Sequence, residues 1–489
     1  MHRVYDGEIP YRGVSVKFLL VGNGAREHAI ARNAAQYYDV YAAMSYKNPG
    51  IARVADYTVT DILDPVKVAD YCDKVNPDLI FIGSEEALFH GVSDEIIERG
   101  HLCIGAKKEA AEIERSKAFM RRLLEKNKIH GSLRFKTFRE VETALKYIEE
   151  YAGSIAIKPA RQAGGKGVKV IADLQAYLKE EKKDAKKIHA AQIVKEHLSQ
   201  DLEDQILIEE RVEGVEYSLQ CFTDGKHIVP LPLVQDHPHA FEEDIGPETG
   251  GMGSISGRGL LPFIEAGEYE QSLRIMEQSV KSIKAETGVD YVGVITGQFM
   301  LTDKWGPTII EYYARLGDPE AVNVMCILEN FDEICEGYIN GSLGNISAQV
   351  RDIATVVKCV SPKGYPNQRS LGKGKEIMVD TDGLDKLGAR VFYGSVYENG
   401  ALYMGGSRAV EIYAEAESIQ EAGKIAEKAT QHVTSAWKLF HRHDIGSPEL
   451  LDKRMRTAQL VRDVYQYRAA HDLIGKTIDW IPGIGKIET

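Results

Sequence analysis

The chain has 489 residues, of which 44% are hydrophobic and 27% charged, a composition typical of globular proteins. A single hydrophobic core does not extend over this length, so three or four domains are expected. The formal net charge of −13 argues against a nucleic-acid partner, because phosphate backbones bind to positively charged surfaces. Local basic pockets for small phosphorylated molecules are still compatible with this charge.

The six cysteines are scattered and form no CxxC pair, which favours reduced thiols over a zinc site or a disulfide framework. The first residues contain no apolar signal-like region, and no apolar run approaches 18 residues. These features predict a cytoplasmic protein without a membrane partner.

Hydrophobic periodicity divides the chain into five regions. Strands that alternate with helices predict an N-terminal parallel α/β domain covered on both faces. Short strands between Gly/Pro turns predict a small β-rich domain near the end. The expected regions are 16–116 for the N-terminal domain, 117–205 for a first lobe with a glycine loop, 206–346 for a central lobe, 347–446 for the β-rich domain and 447–489 for a tail without a usable motif.

Individual elements follow from the same patterns. Strands are predicted at 16–21, Asp39–Met44, Leu79–Ile82, 102–104, 154–158, 205–210, 216–222, 293–301 and 308–312. Helices are predicted at 117–128, Ala266–Thr287 and 418–440. A charged run within 173–205 is interpreted as a solvated helix. The last two strands are joined by a turn at 302–307 and should form a hairpin.

The first strand ends in a GxGxxE turn that contains Gly22, Gly24 and Glu27. The turn lacks the third glycine of the dinucleotide fingerprint, and the next strand is followed by Ser45 instead of a ribose-binding acid. NAD is therefore disfavoured. The helix N-terminus together with Arg26 would suit a phosphate, although a purely structural tight turn explains the pattern equally well.

A second cluster is typical of a nucleotide site. Lys117 opens a helix, Lys158 ends a strand, and a glycine loop with one further lysine follows, which together could neutralise a triphosphate. The GxxxxGK[ST] loop is absent, so this is not a Walker site. Downstream, Glu209 could accept from an adenine amine, the backbone of Val212 could pair with the ring, and Glu216 could accept from ribose hydroxyls. Each of these residues alone is more often an ordinary surface residue.

Gln298 and Glu311 lie on the two strands of the predicted hairpin. Amide and carboxylate oxygens suit Mg²⁺, which completes its shell with phosphate oxygens and water. Arg315 follows and could contact a carboxylate or phosphate through two hydrogen bonds. The alternative is a buried, hydrogen-bonded Glu311 that binds no metal.

Residues 235–253, QDHPHAFEEDIGPETGGMG, combine acids and imidazoles with a run of glycines. The acids and imidazoles, among them Asp236, could bind charged substrate groups. Gly250 and Gly251 would let backbone amides approach an anion where a Cβ would intrude. The pattern indicates a small-molecule site; the alternative is a polar surface loop.

Together these motifs resemble the ATP-grasp superfamily and, within it, the phosphoribosylamine–glycine ligase (glycinamide ribonucleotide synthetase) family. The resemblance extends over about residues 16–446. It is carried by GNGAREHA, SKAFM, GGKGV, LIEERVEGVEYS, VPLPLVQDHPHAFEEDIGPETGGMG, GVITGQFML, IEYYARLGDPE, KGYP, GGSRA and RHDIG.

This resemblance implies a multi-domain α/β fold, with an N-terminal parallel α/β domain, ATP-grasp α+β domains and a small C-terminal β-rich domain. It also implies the family reaction, in which ATP drives the joining of glycine to 5-phosphoribosylamine through an acyl phosphate. The sequence leaves a monomer and a homodimer both open.

Matching the motifs residue by residue gives the expected roles. Catalysis is expected to involve Arg315, Lys166 and Asp236. Mg²⁺ or Mn²⁺ is expected between Gln298 and Glu311. ATP is expected to contact Lys117, Lys158, Gly164, Gly165, Lys166, Gly167, Glu209, Glu210, Val212 and Glu216, with the glycine loop acting as a lid. The other substrates are expected to contact Gly24, Arg26, Glu27, Asp236, Thr249, Gly250, Gly251, Met252 and Arg315.

The chain departs from the family pattern at three places. Tyr313 stands where the family usually has a metal-binding Asn, and a phenol with a pKa of about 10 is a poor Mg²⁺ ligand. GSEEAL lacks two prolines, and Glu248 replaces an Asn. One rival hypothesis is another ATP-grasp ligase or carboxylase that uses formate or bicarbonate, which should lack the 235–253 motif. The second, motivated by Tyr313, is an inactive nucleotide-binding protein.

Overall fold

A computed structural model describes residues 16–150, 155–159, 169–170, 206–476, 478–481 and 485–488. The predicted glycine loop, with Gly164, Gly165, Lys166 and Gly167, and the whole charged run within 173–205 lie outside the described residues. The fold is multi-domain α/β, as predicted, and it combines a parallel sheet with several antiparallel sheets.

The N-terminal domain is a five-stranded parallel sheet in the order β3-β2-β1-β4-β5. Its strands are β1 (Lys17–Val21), β2 (Asp39–Met44), β3 (Asp56–Val59), β4 (Leu79–Ile82) and β5 (Cys103–Ile104), and its helices are α1 (Ala25–Ala34), α2 (Pro65–Val75), α3 (Glu85–Phe89), α4 (Val92–Glu98) and α5 (Lys108–Arg115). The edge strand β3 was not predicted, because its largely exposed residues form no apolar run. Since β1 and β4 are neighbours, the turns at their carboxyl ends lie side by side.

The first lobe contains a four-stranded antiparallel sheet in the order β6-β9-β7-β8. Its elements are α6 (Lys117–Lys126), β6 (Phe135–Phe138), α7 (Val141–Glu150), β7 (Ile155–Pro159), β8 (Lys169–Val170) and β9 (Ile206–Glu210). The backbone of Lys158 lies on β7. The predicted boundary at 206 falls before β9, whose hydrogen bonds are with this sheet.

The central region contains the predicted hairpin within an antiparallel sheet of order β11-β10-β16-β17. Its elements are β10 (Gly214–Asp224), β11 (Ile228–Pro230), β12 (Gln235–Asp236), β13 (His239–Phe241), β14 (Ile245–Glu248), β15 (Gly253–Ser256), α8 (Ala266–Thr287), β16 (Val292–Thr302), β17 (Gly306–Tyr313), α9 (Glu320–Met325) and α10 (Phe331–Asn340). The prediction of α8 and of the hairpin is confirmed.

The C-terminal sheet runs in the order β12-β15-β18-β23-β20, with β25 paired to β18. The C-terminal domain consists of β18 (Ala354–Pro362), β19 (Met378–Val379), α11 (Thr381–Lys386), β20 (Arg390–Tyr393), β21 (Val396–Asn399), β22 (Ala401–Met404), β23 (Val410–Ala416), α12 (Ile419–Ala429), β24 (Val433–Thr434) and β25 (Leu439–Phe440), in which β19 pairs with β24 and β21 with β22 outside the main sheet. Because β12 and β15 flank the 235–253 loop, this sheet holds the loop at both ends.

The prediction of one helix over 418–440 is wrong. The helix α12 ends at Ala429 and is followed by a 3₁₀ turn and the strands β24 and β25. β-Branched Val433 and Thr434 pair with β19, and Leu439 and Phe440 pair with β18. These residue types favour strands, and tertiary pairing decides the outcome.

The C-terminal region, for which no motif was recognised, contains helix α13 (Pro448–Ala470), followed by the paired strands β26 (Ile478–Ile481) and β27 (Gly485–Glu488). Ser447 caps α13, since its Oγ accepts from the backbone N–H of Leu450 at 3.2 Å, and Pro448 occupies the first turn. A serine followed by proline is a helix-start signal. No helix in the described ranges combines the length and apolar character needed to cross a membrane.

Arg121 joins three elements at the base of the first lobe. Its fully buried side chain donates from Nε to Glu209 Oε2 at 2.8 Å, and from its terminal nitrogens to the carbonyls of Ile309 and Ile310. This contact ties α6 to β9 and β17. A buried charge pair of this kind is costly to break, because the remaining charge is left without compensation.

We predict that Arg121→Met lowers stability by about 3–5 kcal/mol, because the buried Glu209 carboxylate loses its guanidinium partner. A fall in the melting temperature of the ligand-free protein measures the effect. Lys126→Met is the matched control on the same helix, since its ion pair with Glu286 is mostly exposed at the lysine and should matter little. Equal melting temperatures for the Arg121 variant and the wild type would contradict this account of the junction.

Candidate active site

Gln298 and Glu311 face each other across the hairpin, as predicted. They are direct register partners on β16 and β17, and such partners project from the same face of a sheet. Lys117, at the start of α6, donates from Nζ to Glu311 Oε2 at 2.8 Å. The structure thus brings the predicted metal pair and one predicted nucleotide lysine together.

Gln298 has a polar atom that needs a partner. Its side chain is buried, and Oε1 has no hydrogen-bond partner among the described residues. A buried acceptor without a partner costs free energy in the folded protein. An amide oxygen beside the Glu311 carboxylate is a donor set that fits Mg²⁺ or Mn²⁺. The residues present therefore fit a hard divalent cation.

Tyr313 supports the Gln298–Glu311 pair rather than supplying a further metal ligand. Its hydroxyl donates to Glu311 Oε1 at 2.5 Å, and the Arg315 guanidinium lies 4.4 Å from the centre of its ring. Burial, reinforced by the Glu311 carboxylate, raises the pKa of Tyr313 well above its ordinary value. The phenol is therefore a neutral donor that orients Glu311 and packs under Arg315.

Glu85 links the first glycine turn to Arg315. Its Oε2 accepts from Arg26 at 3.2 Å and lies 3.5 Å from Arg315 Nε. Arg26 also donates to Glu27 Oε1 at 2.7 Å. Burial alone would raise the pKa of Glu85, but Arg315 and Arg26 outweigh it and hold that pKa below its usual range. Sequence reasoning missed Glu85, although its place after β4 was a usable signal.

The first glycine turn closes around Glu27. Glu27 Oε2 accepts from the backbone N–H of Gly24 at 2.6 Å. A Cβ on Gly22 would lie 2.5 Å from the side chain of Glu27, and one on Gly83 would lie 2.6 Å from it. Gly22 also adopts a φ of +140°, which side chains disfavour. The glycines are therefore required by the packing of Glu27, and a phosphate-binding role stays a prediction.

Arg408 ties the glycine run of the 235–253 loop to the residues that follow the hairpin. It donates to the carbonyls of Gly250 and Gly251, and to the carboxylate of Asp318 at 2.8 Å. The N–H of Gly250 donates to Tyr365 at 3.0 Å. The loop is thus joined to the segment that follows the β16–β17 hairpin. Arg408 lies in the GGSRA turn, yet its partners are too distant in sequence to predict.

Inside the loop, Asp236 lies against Gly251, where an added Cβ would approach its Oδ1 to 2.5 Å. Asp236 accepts from the backbone N–H of His237 at 2.7 Å. Burial and the neighbouring Glu320 raise the pKa of Asp236 well above its usual value. Thr249 donates to the carbonyl of Pro238, and Met252 is fully buried. The predicted substrate residues of this loop are therefore close together.

The candidates for adenine binding already have protein partners. Glu209 pairs with buried Arg121, and Glu210 accepts from Lys304. Val212 lies between β9 and β10. The side chains of Lys158, Lys166 and the glycine loop are not among those described, so their roles stay predictions.

Three family models match the chain. They are the N domain of phosphoribosylglycinamide synthetase at residues 16–114, its ATP-grasp (A) domain at 115–321 and its C domain at 355–448. Together these matches cover most of the chain. The chain belongs to the phosphoribosylglycinamide synthetase family.

Individual relatives agree with the family match. A phosphoribosylamine–glycine ligase of Pyrococcus abyssi is 42% identical over 446 residues, which are 90% of this chain and 97% of that protein. That of Methanocaldococcus jannaschii is 44% identical over 460 residues, covering 91% and 100%. The crystal structure of the Thermotoga maritima ligase has a TM-score of 0.72 at 26% identity, covering 88% of this chain and 100% of that one.

A biotin carboxylase domain from Hydrogenobacter thermophilus aligns with a TM-score of 0.65 at 15% identity, over 95% of this chain and 100% of that one. At this identity the likeness shows the fold alone.

Helix α13 lies almost entirely beyond the C-domain match of the phosphoribosylglycinamide synthetase family, yet it reaches the site. Arg454 donates to Asp244 Oδ2 at 2.6 Å, and Arg442 donates to Asp244 Oδ1 at 3.1 Å. Arg454 is also the main positive charge acting on Glu216. Sequence reasoning treated 447–489 as a tail and so missed Arg454, and it gave Arg442 of the RHDIG motif no role.

Burial raises the pKa of Glu216 to about 6, and Arg454 only partly opposes the shift. A raised acid pKa means that ionisation is unfavourable in the folded state. The protonated group therefore contributes stability below about pH 4.5, and this contribution is lost as the pH rises through about 6.

We predict that Glu216→Gln, which cannot ionise, becomes more stable relative to the wild type as the pH rises from 4.5 to 7. The gain is at most about 2 kcal/mol, because the side chain keeps some solvent access. Melting temperatures of the ligand-free proteins across this range measure it. A difference between the two proteins that stays constant with pH would contradict the raised pKa.

Proposed function

We propose that this chain is an ATP-dependent ligase that joins glycine to 5-phosphoribosylamine, giving glycinamide ribonucleotide, ADP and phosphate in purine biosynthesis. The observation that carries the proposal is that Arg408 joins the 235–253 loop to Asp318, in the segment that directly follows the hairpin of Gln298 and Glu311. Family membership and the names of the relatives support the same reaction.

The proposed chemistry starts from the low reactivity of a carboxylate, which has no good leaving group. A glycine carboxylate oxygen attacks the terminal phosphorus of ATP, and ADP leaves. The amine of phosphoribosylamine then attacks the carbonyl carbon of glycyl phosphate. Phosphate leaves with the oxygen that came from glycine, and the amine loses a proton. The protein mainly positions these groups and neutralises their charge.

Gln298 and Glu311 would hold Mg²⁺ or Mn²⁺ through their side-chain oxygens. A bound divalent cation would neutralise charge on the phosphates. Lys117, paired with Glu311 in this structure, could then turn toward the terminal phosphate. Arg315, supported by the ring of Tyr313, would contact the glycine carboxylate or the transferred phosphoryl group.

The nucleotide would lie between the first lobe and the central sheet. Val212 would offer its backbone to the adenine, and Glu216 would accept from the ribose hydroxyls. Glu209 and Glu210 would keep the end of β9 in place through Arg121 and Lys304. Lys158, Lys166 and the glycines Gly164, Gly165 and Gly167 would cover the triphosphate and exclude water, since a wet acyl phosphate hydrolyses.

Phosphoribosylamine would lie where the first glycine turn meets the 235–253 loop. Gly24, Arg26 and Glu27 would face its phosphate end. On the loop side, its sugar and amine would face Asp236, Thr249, Gly250, Gly251 and Met252. We place the enzyme in the cytoplasm, in line with its six free cysteines.

The two rivals have less support. The solved carboxylases are only 13–15% identical to this chain, so they share the fold without indicating a substrate. The inactive-protein hypothesis rested on Tyr313, and this residue leaves both Gln298 and Glu311 in place and donates to the latter. Neither rival is favoured by a specific contact.

We predict that Glu311→Gln lowers turnover by about 100-fold or more. Removing a single group that stabilises charge in the transition state costs on this order. ADP release with ATP, glycine and phosphoribosylamine at ordinary Mg²⁺ measures it. Glu213→Gln is the matched control, because its side chain is 80% exposed on the segment between β9 and β10 and should keep full activity.

Near-normal turnover of folded Glu311→Gln would contradict the assigned metal role. Wild-type ADP release that required formate or bicarbonate, instead of glycine with phosphoribosylamine, would contradict the proposed substrates.

A further inference from the structure

Two histidines and one glutamate converge on the surface of the C-terminal domain. Glu427 lies on α12, and His441 and His443 follow β25. His443 Nδ1 lies 2.6 Å from Glu427 Oε1, and His441 Nε2 lies 3.2 Å from the same oxygen. One ligand atom from each residue lies within 4.8 Å of the other two.

The three atoms lie close to the spacing that a tetrahedral metal site requires. Zinc binds imidazole nitrogen and carboxylate oxygen at about 2.0–2.2 Å, which places ligand atoms of a tetrahedral site about 3.3 Å apart. Small side-chain rotations would bring His441, His443 and Glu427 to this spacing. Two imidazoles with one carboxylate select a borderline-soft dication such as Zn²⁺ or Co²⁺ over Mg²⁺.

The carboxylate is already oriented by a neighbouring lysine. Buried Lys358 donates to Glu427 Oε2 at 2.5 Å and to the carbonyl of His443 at 2.8 Å. This leaves Oε1 directed at the two imidazoles. Outer partners that fix a ligand's direction are a common feature of metal sites. The nearby acids Glu242 and Asp444 act on Lys358 and offset its positive charge.

Hydrogen bonding alone accounts poorly for this arrangement. Both rings share one carboxylate oxygen, although Glu427 is already paired with Lys358. The side chain of His443 is 67% exposed and could be hydrated without cost. Chelation, in contrast, would use one atom from each of the three residues.

We propose that Glu427, His441 and His443 bind one divalent transition-metal ion, with Zn²⁺ as the representative, independently of the Mg²⁺ site. The remaining coordination position is open to water, because His443 faces solvent. The bound ion would join α12 to the segment that carries Arg442 and Asp444. Arg442 donates to Asp244, and Asp444 accepts from the backbone N–H of Glu243. Both partners lie in the 235–253 loop.

Isothermal titration of the full-length protein with Zn²⁺, in a large excess of Mg²⁺, tests the proposal. We expect one bound equivalent and a rise in melting temperature with Zn²⁺. Titration with Co²⁺ should give the visible absorption of a tetrahedral nitrogen–oxygen site. His443→Ala and His441→Gln should each lower the Zn²⁺ affinity about tenfold or more. Losing even a residue that only orients a metal ligand costs about that much.

Two variants serve as controls. His432→Ala removes a surface imidazole that pairs with Asp380 in the same domain, and it should leave Zn²⁺ binding unchanged. Glu311→Gln should also bind Zn²⁺ normally, which separates this site from the proposed Mg²⁺ pair. Metal-free melting temperatures show whether each variant is folded. Absence of Zn²⁺ binding below millimolar concentration, or unchanged affinity in both folded histidine variants, would overturn the proposal.

Discussion

The Glu311 carboxylate is the contact on which the site depends. It accepts from Lys117 at the start of the first lobe and from Tyr313 on its own strand, and Gln298 lies opposite in the register. A shift of the hairpin by one residue would move Glu311 to the other face of the sheet. The β16–β17 register therefore decides whether Lys117, Gln298 and Glu311 meet.

Around this contact, charged groups from different domains are paired where they are buried. Glu85 of the N-terminal domain faces Arg26 and Arg315, and Arg408 of the C-terminal domain faces Asp318. Pairing offsets the desolvation cost of each charge. Three domains thus contribute charged groups to one site. The arginines in it would suit phosphates and a carboxylate, although the net charge of the whole chain is negative.

Much of this arrangement could be predicted from the sequence, because it depends on local patterns. The alternating strands around a turn predicted the hairpin, and the oxygen side chains of Gln298 and Glu311 predicted its chemistry. Partners such as Arg408 and Arg454 could not be predicted, since their contacts with Gly250 and Asp244 join residues more than 150 positions apart.

Elements with weak patterns were also missed or misjudged. The strand β3 lies at an exposed edge, and the predicted helix at 418–440 overlooked the strands that follow Ala429. The tail was left without structure although Ser447 and Pro448 mark a helix start. For β3, β24 and β25 tertiary pairing decided the structure, whereas the tail helix carries a local start signal that the apolar pattern did not reveal.

The central claim is that ATP phosphorylates the carboxylate of glycine at the Glu311 site. Glycine labelled with ¹⁸O in both carboxylate oxygens tests it directly. During turnover with ATP and phosphoribosylamine, mass spectrometry of the released phosphate should show one ¹⁸O atom per phosphate. Unlabelled phosphate, formed alongside the amide product, would contradict an acyl phosphate and with it this account of the site.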